Sequence, residues 1–562
     1  MLLHHNISQI SYHKVKRHKF LILMGNKVEK NMKTIYFNGK VYTGGEELRQ
    51  AFVVRDGSFM YVGDSRGAKQ LAVAGDELVD LQGRFVCPGF NDSHMHVLGF
   101  GKLLRDVQLA GHTDSLGEMI RYLKEKAAEA EGAWILGRGW NQDYFTDVTR
   151  MPNRYDLDEV SKERPICIVR CCGHGLVVNS KALEILNLPE NFEQPEGGSI
   201  DLENGRFYDN AMELISQLIP APDKDEIKKM ILASCKRLNE YGITSCHTDD
   251  YSAFSNVDWS VVHEAYKELE AEGKLTVRIY EQSNITSLEG LSRFINAGHV
   301  TGTGSDRYQF GPLKMLGDGA LGARTAFLSI PYADDPSTSG IPVYSKELME
   351  SMISYAHKNG MQIAVHTIGD ACLDWVLGAY EKALAEFPRE DHRHGIIHCQ
   401  IMRPDQWEKI KALKLHVYVQ TIFLDYDINI VEQRVGKELA ETSYCWKSLM
   451  KDGVTVSNGS DAPVELPDVM AGIQCAVTRK TLNGSKEYLA KEAFTVKEAI
   501  DSYTIQSAKA SFVEDKKGRI QEGMHADFVI LDENLFEIPK EKIKDVKVLE
   551  TYLGGYSCYR RS

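Results

Sequence analysis

Two histidines one residue apart, His94 and His96, lie in FVCPGFNDSHMHVLGFG, just after an apolar run that reads as a strand. In extended chain, residues i and i+2 project to the same side, so both imidazoles can reach one ion. Alone the pair says little, because 18 histidines in 562 residues give roughly 0.6 His-x-His matches by chance. A second pair, His392 and His394 in EDHRHGIIH, precedes an apolar run instead of following one and is assigned to a loop with no metal role. The first pair stands out because its placement recurs. His366 ends MQIAVH, His398 ends GIIH, Asp461 follows VTVSNGS, and Lys314 lies near the end of FGPLKML. Any one buried His or Asp is more often a hydrogen-bonded structural residue than a ligand. Metal-capable groups repeated at the C-terminal ends of separate apolar runs point to a metal site.

Neutral imidazoles and a carboxylate suit Zn²⁺, with Fe²⁺ or Mn²⁺ as alternatives. A bound divalent ion lowers the pKa of its water from 15.7 to about 7 and polarises a carbonyl, so hydrolysis needs no side-chain nucleophile. Asp461 is placed to accept the water's proton and pass it to the leaving atom. Lys314 as an ammonium offers donors and no lone pair, so it cannot bind a cation. In that form it pairs with Asp318 or contacts substrate, beside a single ion. Ser460 and the cysteines lack a nucleophile elbow or a partner set for covalent catalysis.

Such residues need strands to carry them. Short apolar runs alternate with helical segments, the pattern of βα units around a parallel sheet. The candidate strands are 85–88, 243–246, 276–280, 312–316, 362–365, 395–397, 415–419 and 454–457. Eight of them fit an α/β architecture, a (β/α)₈ TIM barrel over 88–517 whose loops after the strand C-termini build the active site. The stretch of about 105–240 exceeds one crossover and reads as an insert after the first strand. It contains Trp140 and His174, and with His247, Asp318 and Arg324 these are the candidate substrate contacts. Hairpin-like runs at 34–87 and 518–562 predict one small β-sandwich made from both chain ends. Residues 1–33, with six Lys, one Arg and a single acidic residue, read as a disordered or artefactual extension.

Composition narrows the function. A net charge of -13 gives no broad field for phosphate backbones, so nucleic acid is not an expected partner. Eleven cysteines without a CxxC pair suit a reducing cytosol. No apolar run approaches the roughly 18 residues that span a bilayer, so no membrane partner is expected and a cytoplasmic location is.

The order of these residues, together with PGFNDSHMH, GRGW, GHGLVVNSKAL, KMLGDGALGART, VHTIGD, HRHGIIHCQ, NGSDAPVE and GRIQEGMHADFVILD, resembles the amidohydrolase superfamily. More narrowly, it is similar to amidohydrolase family 3, the branch that includes N-substituted formamide deformylases. The resemblance runs from about Thr34 to Gly555 and implies a metal-dependent barrel with His94, His96, Lys314, His366, His398 and Asp461 as ligands. It also allows Lys314 to be carboxylated by CO₂ and to bridge two ions, so one or two ions per chain are expected. The function implied is hydrolysis of a non-peptide carbon-nitrogen bond in a small-molecule amide, acyclic or an N-substituted formamide. A cyclic amide or imide is the alternative within that chemistry, and a non-catalytic binding or regulatory protein that keeps the ion is the alternative outside it. A homodimer is an arrangement open to the chain. Translation from Met32 should leave solubility and metal content unchanged, because residues 1–31 have no apolar periodicity to bury; an insoluble or metal-free product would contradict this.

Overall fold

A computed structural model describes residues 32–129, 132–171, 175–189, 192–195, 198–254 and 256–562. Most of the expected N-terminal extension, residues 1–31, lies outside the described residues.

Eight parallel strands form one sheet in chain order. They are β1 (Phe90–Met95), β2 (Ile243–Thr248), β3 (Arg278–Asn284), β4 (Tyr308–Leu316), β5 (Ile363–Thr367), β6 (Gly395–His398), β7 (His416–Val419) and β8 (Thr455–Asn458). Helices between consecutive strands make this a (β/α)₈ barrel. The ring closes between β1 and the end of β8. There the Asp461 N–H donates to the His94 carbonyl at 2.8 Å, and the His96 N–H to the Ala462 carbonyl at 2.8 Å. The buried Asp92 carboxylate accepts the Ser460 hydroxyl at 2.6 Å and the Ser460 N–H at 3.1 Å. Burial pushes the Asp92 carboxyl up to about 7, a shift that the bonds from Ser460 oppose.

Seven of the expected strands overlap barrel strands; the first does not. Phe85–Pro88 belongs to a five-stranded sheet, antiparallel to Phe528–Leu531. The continuous run FVCPGF reads as one strand because nothing in its hydropathy marks the break at Gly89. A Cβ on Gly89 would lie 2.3 Å from the Thr244 hydroxyl, so this crossing from sandwich to barrel admits only glycine. The insert also ends earlier than 240. Its six-stranded sheet spans Val107–Gln108 to Arg206–Asp209, whereas helix Lys224–Glu240 packs on the barrel helix Val97–Arg105, the Ser234 hydroxyl donating to the Val97 carbonyl at 2.6 Å.

The two chain ends meet in a sandwich of that five-stranded sheet and a four-stranded one containing Thr34–Phe37 and Ala51–Arg55. Phe528 cements it, stacked on Tyr552 at 4.4 Å and edge-on to Phe52 at 4.9 Å between ring centroids. Just before it, Asp527 accepts two bonds from Arg278 of β3, at 2.7 and 3.0 Å, a buried pair that ties the sandwich to the barrel floor. Among the described residues no helix is long and apolar enough to cross a membrane, and all ten described cysteines are free.

The β1–β8 junction leaves no room for a side chain at Gly459, whose Cβ would stand 2.6 Å from both Asp92 Oδ1 and the His94 nitrogen. Overpacking of this kind costs about 1–3 kcal/mol. Gly459→Ala should therefore lower the denaturation midpoint and the metal content together; a variant matching the parent in both would show that this closure is not needed.

Candidate metal centre

His94, His96 and Asp461 offer ligand atoms that all lie within 4.8 Å of one another. Asp461 Oδ1 is 3.1 Å from His96 Nε2 and 3.4 Å from His94 Nε2, and Oδ2 is 3.9 Å from His398 Nε2. The His366 ring lies 4.4 Å from that of His398 between centroids. Five of the six expected ligands therefore gather at the C-terminal ends of β1, β5, β6 and β8.

Their neighbours decide which nitrogen faces inward. His94 Nδ1 is 2.6 Å from Gln282 Oε1, His398 Nδ1 is 2.7 Å from Gln420 Oε1, and His96 Nδ1 is 3.0 Å from the Asp249 carbonyl. In each the partner is an oxygen acceptor, so Nδ1 carries a proton; at His94 and His398 the Nε2 lone pair is left facing the carboxylate, and at His96 Nε2 lies within hydrogen-bond distance of Asp461 Oδ1, at 3.1 Å. His366 is reversed: its Nε2 donates to the Gly319 carbonyl at 3.2 Å, leaving Nδ1 to bind.

The electrostatics agree with a cation site. Burial, and then the Lys314 charge, push His366 down to about 3 and His94 well below its usual range. His398 is pushed well below it too, by burial and then by His366 and Lys314. All three are held as neutral imidazoles able to donate a lone pair. For His96 burial acts in the same direction, but the Asp461 carboxylate outweighs it and holds the group up at about 9. A positive charge is thus stabilised where His96 and Asp461 meet. The donor set fits a divalent ion held by His94, His96 and Asp461, with His398 3.9 Å from that carboxylate and His366 packed against His398.

Backbone geometry contributes as well. His366 is in register with Ile397, and Ile397 packs inside the barrel against Ala364 and Tyr418. His398, the next residue, would face outward in a regular strand, yet its φ of +75° turns the imidazole inward. Asp461, with φ of +58°, is another non-glycine residue in this region. Such conformations cost of order 1–3 kcal/mol each and persist only where the surroundings impose them.

Lys314, buried, donates to Asp249 Oδ2 at 3.2 Å. This corrects the expected pairing with Asp318, whose carboxylate is taken by the backbone N–H groups of Phe327, Ile368 and Gly369 at 2.9, 3.0 and 2.7 Å. Asp318 shapes the loops around His366. It does not bind Lys314.

The other expected substrate contacts fall elsewhere. Trp140 is fully buried in the core of the insert, its indole N–H donating to the Ile168 carbonyl at 3.2 Å. Arg324 is held by Asp334 at 2.8 Å, and Asp334 also pairs with Arg434, so the three clamp the loop after β4 to the helix after β7. His247 is fully buried and packs in the barrel interior, 4.9 Å from the ring of Tyr280, below the level at which Gln282 meets His94. His174 lies outside the described residues. The pair His392 and His394 sits in the loop before β6, as expected, at the opposite end of the barrel.

Asp92, Asp249, Gln282 and Gln420 were not foreseen. Asp249, Gln282 and Gln420 lie at the C-terminal ends of β2, β3 and β7, so the placement that singles out the ligands would have found them had amides and a further carboxylate been counted.

Residues 77–559 match the Amidohydrolase family. YtcJ of Bacillus subtilis (strain 168) is 32% identical over 543 residues, covering 94% of this chain and 100% of its own length. The N-substituted formamide deformylase of Arthrobacter pascens is 25% identical, covering 95% of this chain and 99% of its own. The crystal structure of an uncharacterized metal-dependent hydrolase from Pyrococcus furiosus superposes with a TM-score of 0.76 at 31% identity, covering 90% of this chain and 100% of that one. The chain belongs to the amidohydrolase family, and its barrel mouth carries a His/Asp group able to hold a metal.

Proposed function

We propose that the protein is a metal-dependent hydrolase that cleaves the carbon-nitrogen bond of an acyclic amide, an N-substituted formamide among them, with Asp461 moving the proton. The observation that supports this most is the Asp461 carboxylate lying 3.1 and 3.4 Å from two imidazole nitrogens whose other nitrogens are fixed by oxygen acceptors. A divalent ion bound there, Zn²⁺ first and Fe²⁺ or Mn²⁺ as alternatives, supplies a water of lowered pKa and polarises the substrate carbonyl. The residues of the chain do the rest. His94, His366 and His398 would hold the centre as neutral ligands, and His96 would join them once the ion takes the place of its proton. Asp461, anchored through its backbone to His94, accepts the water's proton as oxygen adds to the acyl carbon, then returns it to the nitrogen as the C–N bond breaks.

The state of Lys314 sets the number of ions. As an ammonium it is neutralised by Asp249 beside one ion; carboxylated by CO₂, it would carry one negative charge shared by two oxygens and could serve as a ligand to a second ion. Bicarbonate-dependent reconstitution to two ions per chain is the result expected of the bridged form, and a single ion in fully active protein would exclude it.

Proton transfer by a positioned side chain contributes about 10²- to 10⁴-fold. Asp461→Asn should lose at least that factor in kcat on a panel of N-formyl, N-acyl and cyclic amides while keeping its fold and part of its metal. His94→Ala should lose metal and turnover together, as read by elemental analysis. Near-parental turnover in Asp461→Asn would remove the proposed proton carrier, and turnover confined to the cyclic substrates would replace the acyclic reading.

A further inference from the structure

The mouth of the barrel is polar at its centre and apolar around it. Leu316, the last residue of β4, is in register with His366 and two residues beyond Lys314, so its side chain stands on the same face, next to the centre. It is 41% exposed. Across the mouth, Phe423 in the turn after β7 stacks on His398, 5.9 Å between centroids with the planes 17° apart. Beyond these, Val343 is 50% exposed, its N–H held by the Gly317 carbonyl at 2.9 Å beside Leu316. Val464 is 65% exposed and its N–H donates to the Asp461 carbonyl at 2.8 Å, while Leu466 and Tyr426 are 56% and 58% exposed in the loops after β8 and β7. Single exposed apolar residues are ordinary. These six belong to three loops at one end of the barrel, and three of them, Leu316, Phe423 and Val464, are joined by register, stacking or a backbone bond to residues of the centre.

Two basic groups near the mouth are already paired. Arg324 and Arg434, which border the loop after β4, are both engaged by Asp334, so neither is left to pair with a substrate carboxylate.

We infer that the amide cleaved here carries a large apolar substituent, alkyl or aryl and without a carboxylate, that lies against Leu316 and Phe423 while its carbonyl faces the centre. This rests on the amide-hydrolase reading above and adds the class of substituent. Binding then gains from each buried methylene, about 0.8 kcal/mol or roughly fourfold in affinity.

The test uses straight-chain alkane hydroxamates of two to eight carbons titrated calorimetrically into zinc-loaded protein. Affinity should rise roughly fourfold per added methylene over several members of the series, with an increasingly negative heat-capacity change. A series that is flat, or one that does not bind, overturns the proposal. Leu316→Ala with unchanged zinc content should weaken the longest member at least tenfold and leave the shortest unchanged. Should that variant fail to fold, Val464→Ser at the rim should flatten the long end of the series in the same sense, and a variant series superposable on the parent's would count against the subsite. Hydrolysis of N-formyl alkylamines separates the two ideas. If short and long members turn over alike, the apolar subsite falls and the amide reading stands; if none turns over while the hydroxamate slope persists, the amide reading falls and the subsite stands.

Discussion

Imidazole lone pairs and a carboxylate aimed at one small volume repel one another unless positive charge lies among them, and much of the molecule serves to hold them there. The Nδ1–H of His94 is fixed by Gln282, that of His398 by Gln420, and that of His96 by the Asp249 carbonyl. Each bond selects a tautomer as well as a position, since an imidazole that has given its one proton to an oxygen acceptor must present its lone pair on the other side. Asp249 has a second task. Its carboxylate balances the Lys314 ammonium at 3.2 Å, which otherwise would stand unopposed beside groups meant to bind a cation. One residue after β2 thus orients a ligand through its backbone and neutralises a neighbour through its side chain.

The barrel supplies what these bonds cannot, a frame stiff enough to keep two non-glycine residues, His398 and Asp461, in left-handed conformations. Stiffness comes from both ends. At the mouth, Asp92 clasps Ser460 and joins β1 to β8 directly beneath the ligands. At the floor, Arg278 and Asp527 form a buried, doubly bonded pair, and breaking a pair of that kind by removing one partner costs about 3–5 kcal/mol because the other charge is left buried. Since Asp527 leads into the strand that carries Phe528, the C-terminal part of the chain completes the sandwich and braces the floor of the barrel at once.

Much of this was legible in the residues. The recurrence of His, His, Asp and Lys at the ends of apolar runs located the centre, because a barrel strand announces itself by hydropathy and its end by the polar residue that follows. Boundaries were less legible. Phe85–Pro88 and Phe90–Met95 read as one strand, since the break at Gly89 depends on the approach of Thr244, a residue more than 150 positions away. Asp318 was misread for a similar reason: proximity to Lys314 in the chain favours a pairing, but three backbone N–H groups from two loops compete for the carboxylate and win. Trp140 illustrates the other limit. A large aromatic residue in a motif-like stretch serves the core of the insert equally well, and only packing tells the two roles apart.

The two His-x-His pairs show what a motif lacks when its neighbours are unknown. In the pair before β6, His394 Nδ1 accepts the Ile363 N–H at 3.1 Å, so its proton sits on Nε2 and is given to His357, which passes its own to the Phe387 carbonyl. His392 likewise accepts the His394 N–H through Nδ1 and donates through Nε2 to the Leu413 carbonyl. Every lone pair there is spent on a protein donor, and none remains for a metal. At His94 and His96 the protein takes the Nδ1–H and leaves Nε2 turned toward the Asp461 carboxylate. The same three-residue pattern is structural at one end of the barrel and a candidate ligand set at the other, because different groups meet the Nδ1 atoms: backbone N–H groups before β6, the Gln282 amide oxygen and the Asp249 carbonyl at the mouth. Before a parallel strand, free N–H groups point at the loop and consume lone pairs; after it, carbonyl and amide oxygens orient the rings and turn their lone pairs toward the mouth.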